Sequence, residues 1–176
     1  MTPKLKYFSR LALLAVCASA SARAGEPVMD AIVETSSGAT AHLASLWKRP
    51  TVLFYEDKDS SRLNQHVKDA LFARGRDHGL LEAVSVVAVA NVAAFDWFPA
   101  RNFVLAAVRD VEREAHVAVY LDFKGALATA PWNLPPKSST VLVLSPEGQV
   151  VWKAKGRLSE DELHALFVAL EAQLTR

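Results

Sequence analysis

Apolar positions in this chain switch repeatedly between two spacings. The run TVLFY (51–55) is apolar almost without a break and stops at Glu56, Asp57, Lys58 and Asp59. A continuous apolar run this short, bounded by polar residues, predicts a strand buried on both faces. From Ser61 the apolar residues Leu63, Val67, Ala70, Leu71 and Phe72 fall at helical spacing, with Gly75 and Gly79 bracketing the exit. VSVVAVA (84–90) predicts a second buried strand. Pro99 suits the first position of another helix, with Phe103, Val104, Ala107, Val108 and Val111 on one face and Arg109, Asp110, Arg113 and Glu114 on the other. HVAVYLD (116–122) predicts a third strand.

The ends of the pattern are different in kind. STVLVL, the tight turn Ser145-Pro146-Glu147-Gly148, and then QVVWKAKG predict two antiparallel strands joined as a hairpin. Ser159-Glu160-Asp161-Glu162 is a capping box, and it opens a helix with Leu163, Leu166, Phe167, Leu170 and Leu174 on its apolar face. Upstream, MDAIVET and Ser36-Ser37-Gly38 predict a short strand and turn, and AHLASLWKRP predicts one helical turn ended by Pro50. Strand, helix, strand, helix, strand, loop, hairpin and helix together predict an α/β protein, a mixed sheet with helices on both faces.

The first residues are set apart from this frame. Lys4, Lys6 and Arg10 precede an apolar segment from Leu11 to about Ala20, followed by Ala22-Arg23-Ala24. That is the pattern of a secretory signal peptide, and its apolar segment is too short for a membrane span. The expectation is a signal peptide over 1–24 and a single domain over 25–176, periplasmic or secreted, with no integral membrane span after cleavage. The only cysteine, Cys17, lies in that leader. Lipid attachment there is disfavoured because Val16 is bulky where a lipobox has a small residue. The exported chain is then free of cysteine, which removes disulfides, thiol catalysis and thiolate metal sites.

Loss of Lys4, Lys6, Arg10 and Arg23 leaves 16 of the 20 basic residues against 19 acidic ones. A mildly acidic chain without basic runs or aromatic-basic interleaving argues against a nucleic-acid partner.

Two segments carry a resemblance: Leu43, Leu46 and Arg49-Pro50 ahead of VLFY, and STVLVLSPEGQVVWKAKGRLSEDEL at the end. Both are similar to the thioredoxin-like superfamily in its redoxin or peroxiredoxin-like variety. The longer stretch from DFKGALATAPWNLPPKSS onward is especially similar to the YtfJ family of small exported bacterial proteins. The resemblance implies a thioredoxin-like fold, a mixed central sheet flanked by helices with a C-terminal antiparallel hairpin and helix. It also implies where redox chemistry would sit. The family's paired cysteines would fall at about Asp59 and Arg62, and its cis-proline at Ser139 before Thr140. None of the three positions keeps the reactive type, so no thiol oxidoreductase or peroxidase activity, and no cofactor, is expected.

Other chemistries fit less well. Asp57-x-Asp59-Ser60 resembles the nucleophile loop of haloacid-dehalogenase-type phosphatases, but Glu56 separates it from the strand and Asp122 has no partner acid. His42, His66, His78, His116 and His164 show no metal-ligand spacing, and no serine has a base and acid in a recognisable order. The plain expectation for the loop is that Asp59 or Ser60 caps the helix, worth about 1 kcal/mol. The functional expectation is a non-catalytic binding face for an unknown protein or small ligand, built from Asp57, Asp59, Ser60, Arg62, Trp97, Trp132 and Ser139. A thiol-independent enzyme, or a divalent-cation site on the Asp57–Asp59 loop, is the alternative.

Overall fold

A computed structural model describes residues 30–115 and 117–175; the expected leader, Met29 and His116 lie outside the described residues. The elements are β1 (Ile32–Glu34), β2 (Thr40–His42), β3 (Thr51–Glu56), α1 (Gln65–His78), α2 (Leu80–Ala83), β4 (Ser85–Asn91), α3 (Ala100–Ala115), β5 (Val119–Asp122), β6 (Thr140–Leu144), β7 (Val150–Lys155) and α4 (Glu160–Leu174). They form one sheet in the order β2-β1-β5-β4-β3-β6-β7. Strands β3, β4 and β5 run parallel, while β6 pairs antiparallel to β3 and β7 antiparallel to β6. The three apolar runs thus occupy the middle of the sheet, where both faces exclude water. Every residue of β3 and β6 is buried.

Register shows how the two faces are filled. Phe54 pairs with Ala88 and Val141, and Val52 with Val86 and Val143, so these residues share one face. That face packs on Val67 and Leu71 of α1 and on Leu166, Phe167 and Leu170 of α4. Helix α3 lies on the same side, because Ala90 pairs with Leu121 and both meet Val104, Leu105 and Val108. The two parallel crossovers progress in one direction across the sheet, so right-handed connections place both helices on one side. The opposite face carries Leu53, Tyr55, Val87, Val89, Leu142 and Leu144. No helix of the described residues longer than a 3-10 turn covers it. Leu43 and Trp47 close it from one end, and Leu127, Trp132 and Leu134 close it from the loop before β6. The expected helices on both faces are therefore gathered on one.

Several local expectations change with this packing. The segment expected as a helical turn before Pro50 begins with β2, which pairs with β1 as a hairpin, and only Leu43–Ser45 turns helically. Gly75, expected at the helix exit, lies inside α1, where a Cβ would meet Leu81 Cγ at 2.3 Å. On α3 the covered stripe includes Leu105 and leaves out Phe103 and Val111, which are exposed. The helix turns its 101, 104, 105, 108 and 112 stripe to the sheet, where Arg101 pairs with Glu34 of β1 and Glu112 accepts from Ser36 Oγ. The capping box forms as expected: Ser159 Oγ accepts from Glu162 N, and Glu162 Oε2 accepts from Ser159 N. In the β6–β7 turn Gly148 has φ +78, and a Cβ there would lie 2.9 Å from Trp47 Nε1, so both backbone and space require glycine.

Candidate functional site

The parallel strands end on one rim. Beyond β3 the chain does not enter α1 directly but makes turns through Lys58–Asn64. Asp57 organises the first of them. Its Oδ1 accepts from Asp59 N at 3.1 Å, Ser60 N at 2.9 Å and Ser60 Oγ at 2.8 Å, while Ser60 Oγ in turn accepts from Asp57 N at 2.9 Å. The expected helix cap at Asp59 or Ser60 does not form: Asp57 closes a separate turn, and the residue before α1, Asn64, makes no side-chain cap bond. The first residue of α1 is correspondingly Gln65, four positions later than Ser61. Asp57 Oδ2 accepts from Lys137 N at 2.6 Å, and Lys137 stands at φ 55, a left-handed conformation that side chains other than glycine adopt at a cost of about 1 kcal/mol. The carboxylate helps to offset that cost.

Asp57 has a measurable electrostatic consequence. Burial alone would raise its carboxyl, but the donors from Ser60, Lys137 and Asp59 outweigh it and hold the group below the usual carboxylate range. A depressed folded value adds stability that is fully present above the unfolded value of about 4 and is lost as pH falls through the folded one. In urea titrations the Asp57→Asn variant is expected to be less stable than the parent at pH 6, with the gap closing below about pH 4. A gap independent of pH would contradict this assignment.

Beneath the loop lies a polar network in a buried setting. Glu56, the last residue of β3, accepts from Ser139 Oγ at 2.8 Å through Oε1 and from Lys68 Nζ at 2.6 Å through Oε2. Lys68 Nζ also donates to Ser61 O at 2.9 Å. Asn64, fully buried, donates from Nδ2 to Ser139 Oγ at 2.8 Å and to Gly156 O at 2.7 Å, and its Oδ1 accepts from Leu158 N at 2.9 Å. Four segments are tied here: the end of β3, the entry of α1, the start of β6 and the exit of β7. Ser139 stands at the middle of the network, where the resemblance places a proline, and the cis peptides of the described residues lie elsewhere, at Phe98–Pro99 and Ala130–Pro131.

Sequence reasoning did not single out Asn64 and Lys68 as part of this site. Their signal was present: at 64, 67, 68 and 71 they share the stripe of α1 that holds Val67 and Leu71, and polar residues in a buried stripe need partners.

The other expected residues separate into exposed and buried groups. Asp59 and Arg62 are exposed beside the loop. Trp97 follows β4 on the same rim and is 59% exposed, with Phe98 at 83% beside it. Trp97 Nε1 donates to Ala94 O at 3.1 Å, and Asp96 takes Arg101 at 2.5 Å and Lys124 at 2.6 Å, so this segment is anchored despite its exposure. Trp132, by contrast, is 8% exposed and packs edge-on against Trp47 at 6.2 Å between centroids. It belongs to the core rather than to the surface. Asp122 is spent on structure as well, accepting from Ala126 N, Leu127 N and the Tyr55 hydroxyl. Burial and that nearby carboxylate push the Tyr55 phenol far above its ordinary value, which keeps it a neutral donor.

No group of three or more His, Cys, Asp or Glu side chains comes together as a metal site among the described residues. Both Asp57 oxygens already hold hydrogen-bond donors, which leaves the Asp57–Asp59 loop poorly equipped for a cation.

A strand leading into a helix, a parallel neighbour, an antiparallel hairpin and a closing helix define a thioredoxin-like fold. The solved structures this chain is similar to have the same fold. They include an uncharacterized conserved protein from Geobacillus kaustophilus (TM-score 0.64, 16% identity, 88% of this chain and 83% of that one). Two others are the exposed lipoprotein thioredoxin Etrx1 from Streptococcus pneumoniae (0.56, 14%, 82% and 99%) and a secreted Mycobacterium tuberculosis disulfide oxidoreductase homologous to E. coli DsbE (0.52, 19%, 80% and 96%). The chain belongs to the family YtfJ_HI0045, described as a bacterial protein of unknown function, whose family model matches residues 58–173. No match is found among the curated proteins. With its only cysteine at position 17, the chain has none in the matched region.

Proposed function

We propose that this is an exported thioredoxin-fold protein that has given up thiol chemistry and acts as a binding or accessory protein in the periplasm, through the rim formed by the loops after β3 and β4. The observation that carries this reading is the Lys68–Glu56–Ser139–Asn64 network. It holds Ser139, at the position the resemblance gives to the cis-proline, among groups already satisfied by one another, while Asp59 and Arg62, at the expected dithiol positions, and Trp97 and Phe98 stand exposed on the same rim. A fully satisfied buried network is rigid and has no free group for catalysis. Exposed aromatics on a rigid frame are the side chains most often found at the centres of protein interfaces. The leader pattern and the absence from the described residues of any helix able to cross a membrane agree with an exported chain.

A photo-crosslinking residue at Trp97, compared with one at Val168 on the exposed side of α4, tests this reading in the exported fraction of the native host. Adducts with a protein partner are expected from position 97 and not from 168. Equal labelling at both, or none at 97, would reject the rim.

A further inference from the structure

The exported chain is acidic, yet one half of its rim is not. Lys58, Arg62, Lys137, Lys155 and Arg157 are all exposed, and none of them takes part in an ion pair among the described residues. Two hydrogen bonds bring their segments together. Lys137 N donates to Asp57 Oδ2, next to Lys58, and Arg157 Nη1 donates to Leu63 O, next to Arg62. Lys155 pairs in register with Thr140, beside Ser139. The acids of these segments are Glu56, paired with Lys68; Asp57, whose oxygens are occupied by donors; and Asp59. Glu160, Asp161 and Glu162 follow Arg157 in the first turn of α4, where Glu162 is taken up by the capping box. The loops over β3, β6 and β7 therefore present five exposed cations, with Asp59 the one exposed acid between Lys58 and Arg62, on a chain of opposite net charge.

The other half, over β4, is apolar: Phe95, Trp97 and Phe98 are exposed there, and Phe103 follows at 71%. Strand order makes the halves neighbours, β4 next to β3, then β6, then β7. Three strand spacings of about 4.8 Å span about 14 Å, which an extended chain rising about 3.3 Å per residue crosses in four or five residues.

From this charge complementarity we infer that the rim takes an extended segment of a partner protein in which an apolar residue and carboxylates stand four or five positions apart. The inference rests on the rim being the binding face and adds the chemistry of what binds. Aspartate or glutamate side chains meet the five cations as single charges spaced along a strand. Asp59 standing among those cations suits such a segment better than a dense phosphate surface. The desolvated aromatics supply the anchor, and the cations supply orientation and speed of encounter.

Selection of a random dodecapeptide display library on the cleaved protein tests it. Enriched peptides are expected to carry an apolar residue four or five positions from acids, to lose binding about tenfold at high salt, and to lose about tenfold again on R62E/K137E, with the fold of that variant checked by circular dichroism. Peptides without acids, peptides indifferent to the charge reversal, or no enrichment would overturn the inference. If binding falls with Trp97→Ala and not with R62E/K137E, the rim stands and the acidic partner is rejected. If it falls with neither, the rim itself is rejected. Binding of the protein to vesicles rich in phosphatidylglycerol, reversed by the same charge changes, would make the surface a membrane contact and overturn the inference too.

Discussion

An Asn64→Ala variant is expected to lose about 3 kcal/mol of stability, roughly 6–12 °C in melting temperature for a domain of this size. Asn64 is fully buried and serves three partners at once, two through Nδ2 and one through Oδ1. Alanine removes all three bonds and leaves the Leu158 amide without a partner in a buried place and the Gly156 carbonyl without one in a half-buried place. Each such orphan costs about 1–3 kcal/mol, more than the bond itself contributes. Asn64→Asp is not expected to rescue the loss. It keeps the acceptor for Leu158 N but sets a second carboxylate against Ser139, whose hydroxyl already donates to Glu56. Thermal denaturation followed by circular dichroism measures the effect, and a loss below about 1 kcal/mol would mean that the network contributes little.

Removing Lys68 should have an effect of similar size for a different reason. Lys68→Met leaves the Glu56 carboxylate, barely exposed, with Ser139 as its remaining donor. A charge stranded in this way costs about 2–4 kcal/mol, and neutralising it with Glu56→Gln in the same chain should return a good part of that loss. The double-mutant cycle, read from urea denaturation, is expected to show a coupling of about 1–2 kcal/mol. Additivity within about 0.3 kcal/mol would show that the two side chains do not depend on each other.

The sequence was most legible where one residue's chemistry is enough to fix local structure. The β6–β7 turn and the Ser159 capping box formed where they were read because glycine at positive φ and a Ser-x-x-Glu spacing act over four residues. The strands TVLFY and VSVVAVA were legible because a strand covered on both faces cannot tolerate polar alternation. What was missed depended on distant partners. The three residues of β2 carry no strand signal of their own and exist by pairing with β1. The covered stripe of α3 includes Arg101 and Glu112, polar residues whose partners Glu34 and Ser36 lie far back in the chain. In the site, Asp57 and Ser60 were singled out by their place after a strand end and Ser139 by the resemblance, whereas Asn64 and Lys68 acquire meaning from Gly156, Leu158 and Glu56, and Lys68 and Glu56 stand 12 positions apart. Trp132 was misplaced because a tryptophan in a proline-rich loop looks exposed until the loop proves to be the cover of a core.

That cover has a bearing on motion. One side of the sheet is sealed by long helices and the other by irregular chain, so the two sides should not breathe alike: amides of residues 126–134 are placed to exchange with solvent ahead of those in α1 and α4. The rim joins a piece of each. Its 57–63 loop leads into the slow side, and residues 137–139 hang from the fast one, held across the boundary by the Lys137–Asp57 and Ser139–Glu56 bonds. An occupant that grips both would work as a staple, and its arrival would be felt as slowed exchange in a part of the protein that it never touches.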